Sequence, residues 1–169
     1  MYYKSNGGNE KEFDSLLRRL PHAVAIVKGS AEYSQINGTV KFYQARSGVL
    51  VAADIRGLPV SEGICDSNIF AFHIHGGMSC TGNDDDPFAN AGTHYDPLSC
   101  PHPYHAGDMP PLFSADGRAF LAFLTNRFTV NEILCKTVVI HDRPDDFTTQ
   151  PSGNAGNKIA CGVISQVKR

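Results

Sequence analysis

The sequence predicts an all-β fold. Two observations carry this: stretches in which apolar and polar residues alternate with period two, and Gly- or Pro-containing breakers between them. A third is that the residues able to do chemistry crowd into two irregular segments beside the strand ends, the usual division between a rigid β-scaffold and its loops. The 169 residues suit one domain with a full hydrophobic core, and 41% hydrophobic and 19% charged residues are ordinary for a globular chain.

The first element is helical. Phe13, Leu16, Leu17 and Leu20 fall at i, i+3, i+4 and i+7, which predicts a short amphipathic helix over Asn9–Leu20, with Asn9 as cap and Pro21 as stop. It would lie over a sheet or make a subunit contact. Residues 1–21 are thus an N-terminal extension, and residues 22–169 form the β-domain.

Beyond Pro21 the period changes. "HAVAIVKG" is a short apolar strand. "INGTVKFYQA" alternates Ile36, Gly38, Val40 and Phe42 against Thr39, Lys41 and Tyr43, and "GVLVAADIRGLP" repeats the pattern with Val49, Val51, Ala53 and Ile55. "RSG" and "GLP" punctuate them as in a hairpin-rich antiparallel sheet. "NIFAFHIH" is the next strand, and its period puts His73 and His75 on one face. From Gly76 to about Asp116 no periodicity survives, and so long a loop needs a metal or a disulfide to order it. "GRAFLAFLTN" and "LCKTVVIHD" return to strand, and a second irregular stretch, Asp142 to Asn157, precedes the last strand, "KIACGVIS".

Charge and hydropathy exclude some functions. A net charge of −2 with no Lys/Arg run argues against nucleic acid as a partner. No stretch of apolar residues is long enough to span a membrane. The first twenty residues lack a basic segment followed by an apolar one, so no signal peptide is expected and a cytoplasmic location is. Of the five cysteines, free thiols are the expectation for such a location.

Seven histidines hold the chemical signal. His22, alone, reads as structural. In "HYDPLSCPHPYHAGD", His94, His102, His105 and Asp108 offer three imidazoles and a carboxylate, the donor set of a closed tetrahedral zinc site. Such a metal would order a loop that has no core of its own. Cys100, near His102, is not needed once Asp108 completes the set. "GNDDDP" lacks the spacing of an EF-hand and reads as a solvated acidic turn, and "SGNAG" does not continue as a phosphate loop.

Five segments then carry a specific resemblance. "FAFHIHGGMSC", "AGTHYDP", "HAGDMPPL", "VVIHDRPDDF" and "GNAGNKIACGVI" resemble, in order, the motifs of the copper/zinc superoxide dismutase family, over roughly Ala23 to Ser165. The resemblance implies a flattened eight-stranded Greek-key β-barrel, a sandwich related to the immunoglobulin fold. It implies copper on His73, His75, His94 and His141, and zinc on His94, His102, His105 and Asp108, with the His94 ring shared. Asp145 matches a carboxylate that connects a copper ligand to a zinc ligand, while Asp146 reads as an ordinary loop acid. Cys80 and Cys161 match the family's disulfide, leaving Cys65, Cys100 and Cys135 outside the pattern.

The implied activity is conversion of superoxide to oxygen and hydrogen peroxide by alternate reduction and oxidation of copper, with His94 giving a proton to the product. A homodimer is an expected assembly. Lys158 departs from the pattern, because the family normally has an arginine there to guide and dock the anion. Lysine keeps the charge without the planar fork, so a reduced rate is expected. Arg143 reads as a solvated loop cation. The competing function is a copper/zinc-binding protein of the same fold without useful turnover; a purely structural sandwich would leave His73, His75 and His141 unexplained.

Overall fold

Alternation decides which side of each strand faces inward. In β2, Asn37–Ala45, Val40 and Phe42 are fully buried and Lys41 between them is exposed. The computed structural model describes residues 14–61, 63 and 68–168. Its strands are β1 (Ala23–Gly29), β2, β3 (Gly48–Arg56), β4 (Ile69–Phe70), β5 (Phe72–His75), β6 (Leu112–Phe113), β7 (Arg118–Thr125), β8 (Thr137–His141) and β9 (Lys158–Gln166). Seven form one antiparallel sheet in the order β5-β8-β9-β1-β2-β3-β7, and β4 pairs with β6.

The expected single strand "NIFAFHIH" changes partner at Ala71. Ile69 and Phe70 pair with Phe113 and Leu112, whereas Phe72–His75 pairs with β8. β4 and β5 thereby link one margin of the sheet, through β6, to β7 at the other, and the sheet curls into the Greek-key barrel. Counting β4 and β5 as one interrupted strand gives the expected eight. Phe42, Phe72, Ile74, Val138, Ile140 and Ile164 meet in the core.

Three local expectations are corrected. β6 does not show in the sequence as a strand, since two paired residues are too short to carry a period. The strand expected from Leu134 begins at Thr137, because Val130–Ile133 is a helical turn whose preceding Thr129 gives both its N–H and its hydroxyl to Glu132. The T-x-x-E spacing of a capping box was the available signal. Near the N-terminus residues 14–17 are helical, ending before Leu20. Leu16 packs on Tyr43, Leu50 and Ala52 on the outer face of the sheet, while Leu17 and Leu20 are exposed. Asn9 and Phe13 lie outside the described residues, as does Cys65. No helix among the described residues is long and apolar enough to cross a membrane.

Cys80 and Cys161 are disulfide-bonded across 81 residues, tying the long loop to β9 beside Phe88, Ala91 and Val139. Cys100 and Cys135 are free. Loss of such a link costs about 2–5 kcal/mol. Cys80→Ser should therefore unfold at distinctly lower denaturant than the oxidised parent; an unchanged midpoint would contradict a stabilising role.

Candidate metal centre

All four residues of β5 are buried, which a half-exposed strand would not show. Phe72 and Ile74 face the core, and His73 and His75 face the other way, under the long loop. That loop runs along the open margin of β5. Tyr95 N–H donates to the Ile74 carbonyl (2.8 Å), Ile74 N–H to Gly107 (2.9 Å) and Gly76 N–H to Thr93 (2.8 Å). Bridges pair His75 with His94 and His73 with Asp108. Gly107 permits this approach, since a Cβ there would stand 2.2 Å from the Ile74 carbonyl oxygen. Backbone pairing thus brings loop ligands beside strand ligands. From the other side, β8 ends on His141, opposite Lys158 of β9.

Two donor sets result, His73/His75/His94/His141 and His94/His102/His105/Asp108, all buried, each with its ligand atoms within 4.8 Å of one another. His75 Nε2 lies 3.2 Å from His141 Nε2. On the other side of the His94 ring, Nδ1 lies 2.7 Å from Asp108 Oδ1 and 3.4 Å from His105 Nδ1. The opposite nitrogens are anchored by the protein. His75 Nδ1 and His141 Nδ1 reach the carbonyls of Gly92 (2.8 Å) and Gly156 (3.3 Å). The Asp145 carboxylate holds His73 Nε2 at 2.8 Å and His102 Nε2 at 2.9 Å, one oxygen each. Fixing the far nitrogen sets ring orientation and tautomer, as metal-binding imidazoles require. Gly153, at φ +68°, allows this link: a Cβ there would stand 1.9 Å from Asp145 Oδ1.

Buried polar atoms left over show whether metals fit. His73 Nδ1, His94 Nε2 and His102 Nδ1 are buried without a hydrogen-bond partner. His102 Nδ1 is 3.1 Å from Asp108 Oδ2 but not aligned to bond it, as expected when both aim at a common point. Orphaned buried nitrogens are costly, and a cation in each set satisfies them. Four imidazole nitrogens suit Cu(II), and three with a carboxylate suit tetrahedral Zn(II).

Burial sets the charges. It pushes His73 and His75 below the ordinary imidazole range and lowers His141 to about 3; neighbouring imidazoles add to the effect. Burial alone would raise Asp108 and Asp145, but hydrogen bonds outweigh it and both carboxyls sit below their usual value: from His94 to Asp108, and from His73, the Phe147 N–H and His102 to Asp145. His73, His75 and His141 are therefore held toward the neutral form that can ligate, and Asp108 and Asp145 toward the ionised form. In the metal-free protein, unfolding lets the imidazoles take up protons below about pH 6.5. The unfolded chain then binds more protons, so stability rises with pH in that window. The His141 contribution is complete above about pH 6.5 and is lost as pH falls toward about 3. A lower urea midpoint at about pH 5 than at about pH 7.5 is expected of metal-free protein; equal midpoints would contradict it.

Outside the two donor sets, most of the singled-out residues have local roles. His22 Nδ1 accepts the Gln44 N–H, a structural role. Arg143 is exposed and does not line the cavity beside the metal sets. Cys100 belongs to neither set. Asp146 accepts N–H and hydroxyl donors from Thr148 and Thr149 within its own turn. The acidic turn "GNDDDP" needs correction: Asp84 and Asp85 are exposed, but Asp86 turns inward and bonds the Lys158 amine. Lys158 does line the cavity, with its charge already paired. Sequence reasoning also missed Arg127, which donates to the carbonyls of Pro103 (3.0 Å), His105 (3.2 Å) and Asp108 (3.3 Å), and Gln150, which bonds both backbone groups of His102.

A Greek-key barrel with a four-imidazole set and a three-imidazole, one-carboxylate set sharing a ring defines a two-metal protein of the copper/zinc type. The family model described as copper/zinc superoxide dismutase (SODC) matches residues 36–164. The chain is 32% identical over 145 residues to superoxide dismutase [Cu-Zn] 2 of Aquifex aeolicus, covering 77% of this chain and 80% of that protein. It is 36% identical over 135 residues to superoxide dismutase [Cu-Zn] of Legionella pneumophila, covering 75% and 76%. Among solved structures, Cu/Zn superoxide dismutase from Brucella abortus superposes with a TM-score of 0.68 at 25% identity, covering 83% of this chain and 98% of that one. The chain belongs to the copper/zinc superoxide dismutase family.

Proposed function

We propose that this chain is an oxidoreductase that converts superoxide to oxygen and hydrogen peroxide, with His73, His75, His94 and His141 holding copper and His94, His102, His105 and Asp108 holding zinc. The observation that carries this reading is the His94 ring. Its Nε2 is buried without a partner on the copper side, and its Nδ1 is 2.7 Å from Asp108 on the zinc side. Copper held by His73, His75, His94 and His141 would supply the one-electron redox chemistry that the conversion needs. The residues do the rest. His75 and His141, anchored through Gly92 and Gly156, hold one wall of the cavity rigid. His94 is the proton carrier: Nε2 takes a proton from solvent and gives it to the peroxide, water supplies the second proton that hydrogen peroxide needs, and Nδ1, held on the zinc side, keeps the ring aimed. Asp145 makes the two sets respond as one, since it touches a ring of each.

The pairing of Lys158 with Asp86 favours a second reading, a metal-binding protein of this fold with little turnover, because the cation available to an anionic substrate is partly neutralised. Metal content and superoxide turnover measured on one purified sample decide between them. Protein holding one copper and one zinc should turn over superoxide and lose that activity when copper is removed by chelation. One equivalent of copper in the histidine set with no turnover would leave the second reading.

A further inference from the structure

Lys158 opens β9 directly across from His141, and its amine meets a carboxylate 72 residues away in sequence. That carboxylate is held on both oxygens: Asp86 Oδ2 takes the Lys158 amine, and Oδ1 takes the Phe88 N–H at 2.9 Å. The turn is itself fixed, with Asn83 Oδ1 accepting the N–H groups of Asp85 and Asp86. The pair lies on the wall of a cavity of about 470 Å³ that also exposes His75, His94 and His141. Asp85, Asp86 and Asp96 line this cavity, and among the described residues Lys158 is its one lysine or arginine. An anion entering meets three carboxylates and an ammonium already engaged by one of them. The Lys158 side chain is 17% exposed, so it has little freedom to turn toward a second partner.

We propose that Asp86 is a specificity-determining residue of this cavity: by clamping Lys158 it limits how tightly a small anion is held beside the copper set. An ammonium is a compact point charge whose attraction for an incoming anion is largely cancelled by a carboxylate in contact with it. Removing that carboxylate returns the cation to the cavity, where positive potential raises both anion affinity and encounter rate. The inference rests on the superoxide reading for the identity of the natural anion. The clamp itself is testable with azide.

Azide is titrated into protein loaded with copper and zinc and followed by the visible absorption of copper, using the parent, Asp86→Asn, Asp85→Asn and Asp86→Asn/Lys158→Gln. The amide oxygen introduced by Asp86→Asn keeps an acceptor for the Phe88 N–H, and Asp85→Asn removes the same charge from the same wall without freeing Lys158. Asp86→Asn should tighten azide about three- to fivefold, the upper scale of a partly exposed ion pair. Asp85→Asn should do so by less than about twofold, as expected of a solvent-screened charge, and the double variant should lose the gain. A readout independent of copper is acetylation of Lys158 by acetic anhydride, measured by mass spectrometry, which should be faster in Asp86→Asn. Equal tightening in Asp86→Asn and Asp85→Asn, no tightening in Asp86→Asn, or a gain that survives Lys158→Gln would overturn the clamp. A parent that binds azide but does not dismutate superoxide would overturn the proposed function instead, and the azide and acetylation results would still decide the role of Asp86.

Discussion

His94→Ala should lose superoxide turnover by more than about 100-fold and weaken copper and zinc together. Removing even an outer partner of a ligand costs about 10–100-fold in affinity or activity, and here a ligand is lost from two sets at once. The comparison that makes the result specific is His75→Ala. His75 belongs to the copper set alone, so that variant should keep zinc near one equivalent while copper falls. Metal content after equilibrium dialysis against limiting metal, with turnover on the same samples, reads both effects. A His94→Ala protein that holds zinc as well as His75→Ala does would mean that the ring is not shared. Folding does not confound this comparison, because retention of the Cys80–Cys161 disulfide and of the β-sheet circular dichroism is checked on both proteins.

Asp145→Ala is the second large effect. This carboxylate binds no metal in the proposed scheme, yet it fixes His73 Nε2 and His102 Nε2 with one oxygen each and also accepts the Phe147 N–H at 2.7 Å. Without it one ring in each donor set loses its orientation, and two buried nitrogens lose their partner. Affinity for both copper and zinc should fall roughly 10–100-fold each. Asp145→Asn should lie between parent and alanine, since an amide replaces one acceptor oxygen only. Loss of copper with unchanged zinc would show that the link to His102 carries no energy.

Much of this architecture was legible in the sequence. Strands β2 and β3 announce themselves through period-two alternation, and β1, β7 and β9 as short apolar runs bounded by breakers. The candidate zinc ligands were legible for a different reason. Imidazoles clustered in a loop without a core, as in the segment from His94 to Asp108, have few purposes other than a cation. The copper set, Asp145 and the disulfide came from resemblance to the family, since His73, His94 and His141 are brought together only by pairing along β5 and β8. What escaped was long-range or very short. Asp86 looked like one acid among three in a turn, and nothing local to it signals Lys158. Arg127 reaches three backbone carbonyls of the zinc-side loop, a contact that leaves no trace in side-chain pattern. β4 and β6 are two residues each, below the length at which any period can be seen.

The backbone clamps also explain why a loop of this length can hold geometry. Gln150 bonds the N–H and the carbonyl of His102 at 2.9 and 2.7 Å, and Arg127 ties together the carbonyls of Pro103, His105 and Asp108. Both contacts position a zinc-side ligand through its main chain, leaving the imidazoles free to point inward. The disulfide restrains the part of the loop before His94, and these two side chains restrain the part after it.

The central claim, one imidazole shared by two cations, is tested most directly by crystals of the copper- and zinc-loaded protein, with anomalous scattering recorded at the copper and zinc edges. Two distinct peaks should flank the His94 ring. Copper should lie at Nε2 with His73, His75 and His141, and zinc at Nδ1 with His102, His105 and Asp108, the zinc about 2.0–2.1 Å from its nitrogens. A single peak, or two peaks of which either leaves His94 beyond bonding distance, would contradict the account.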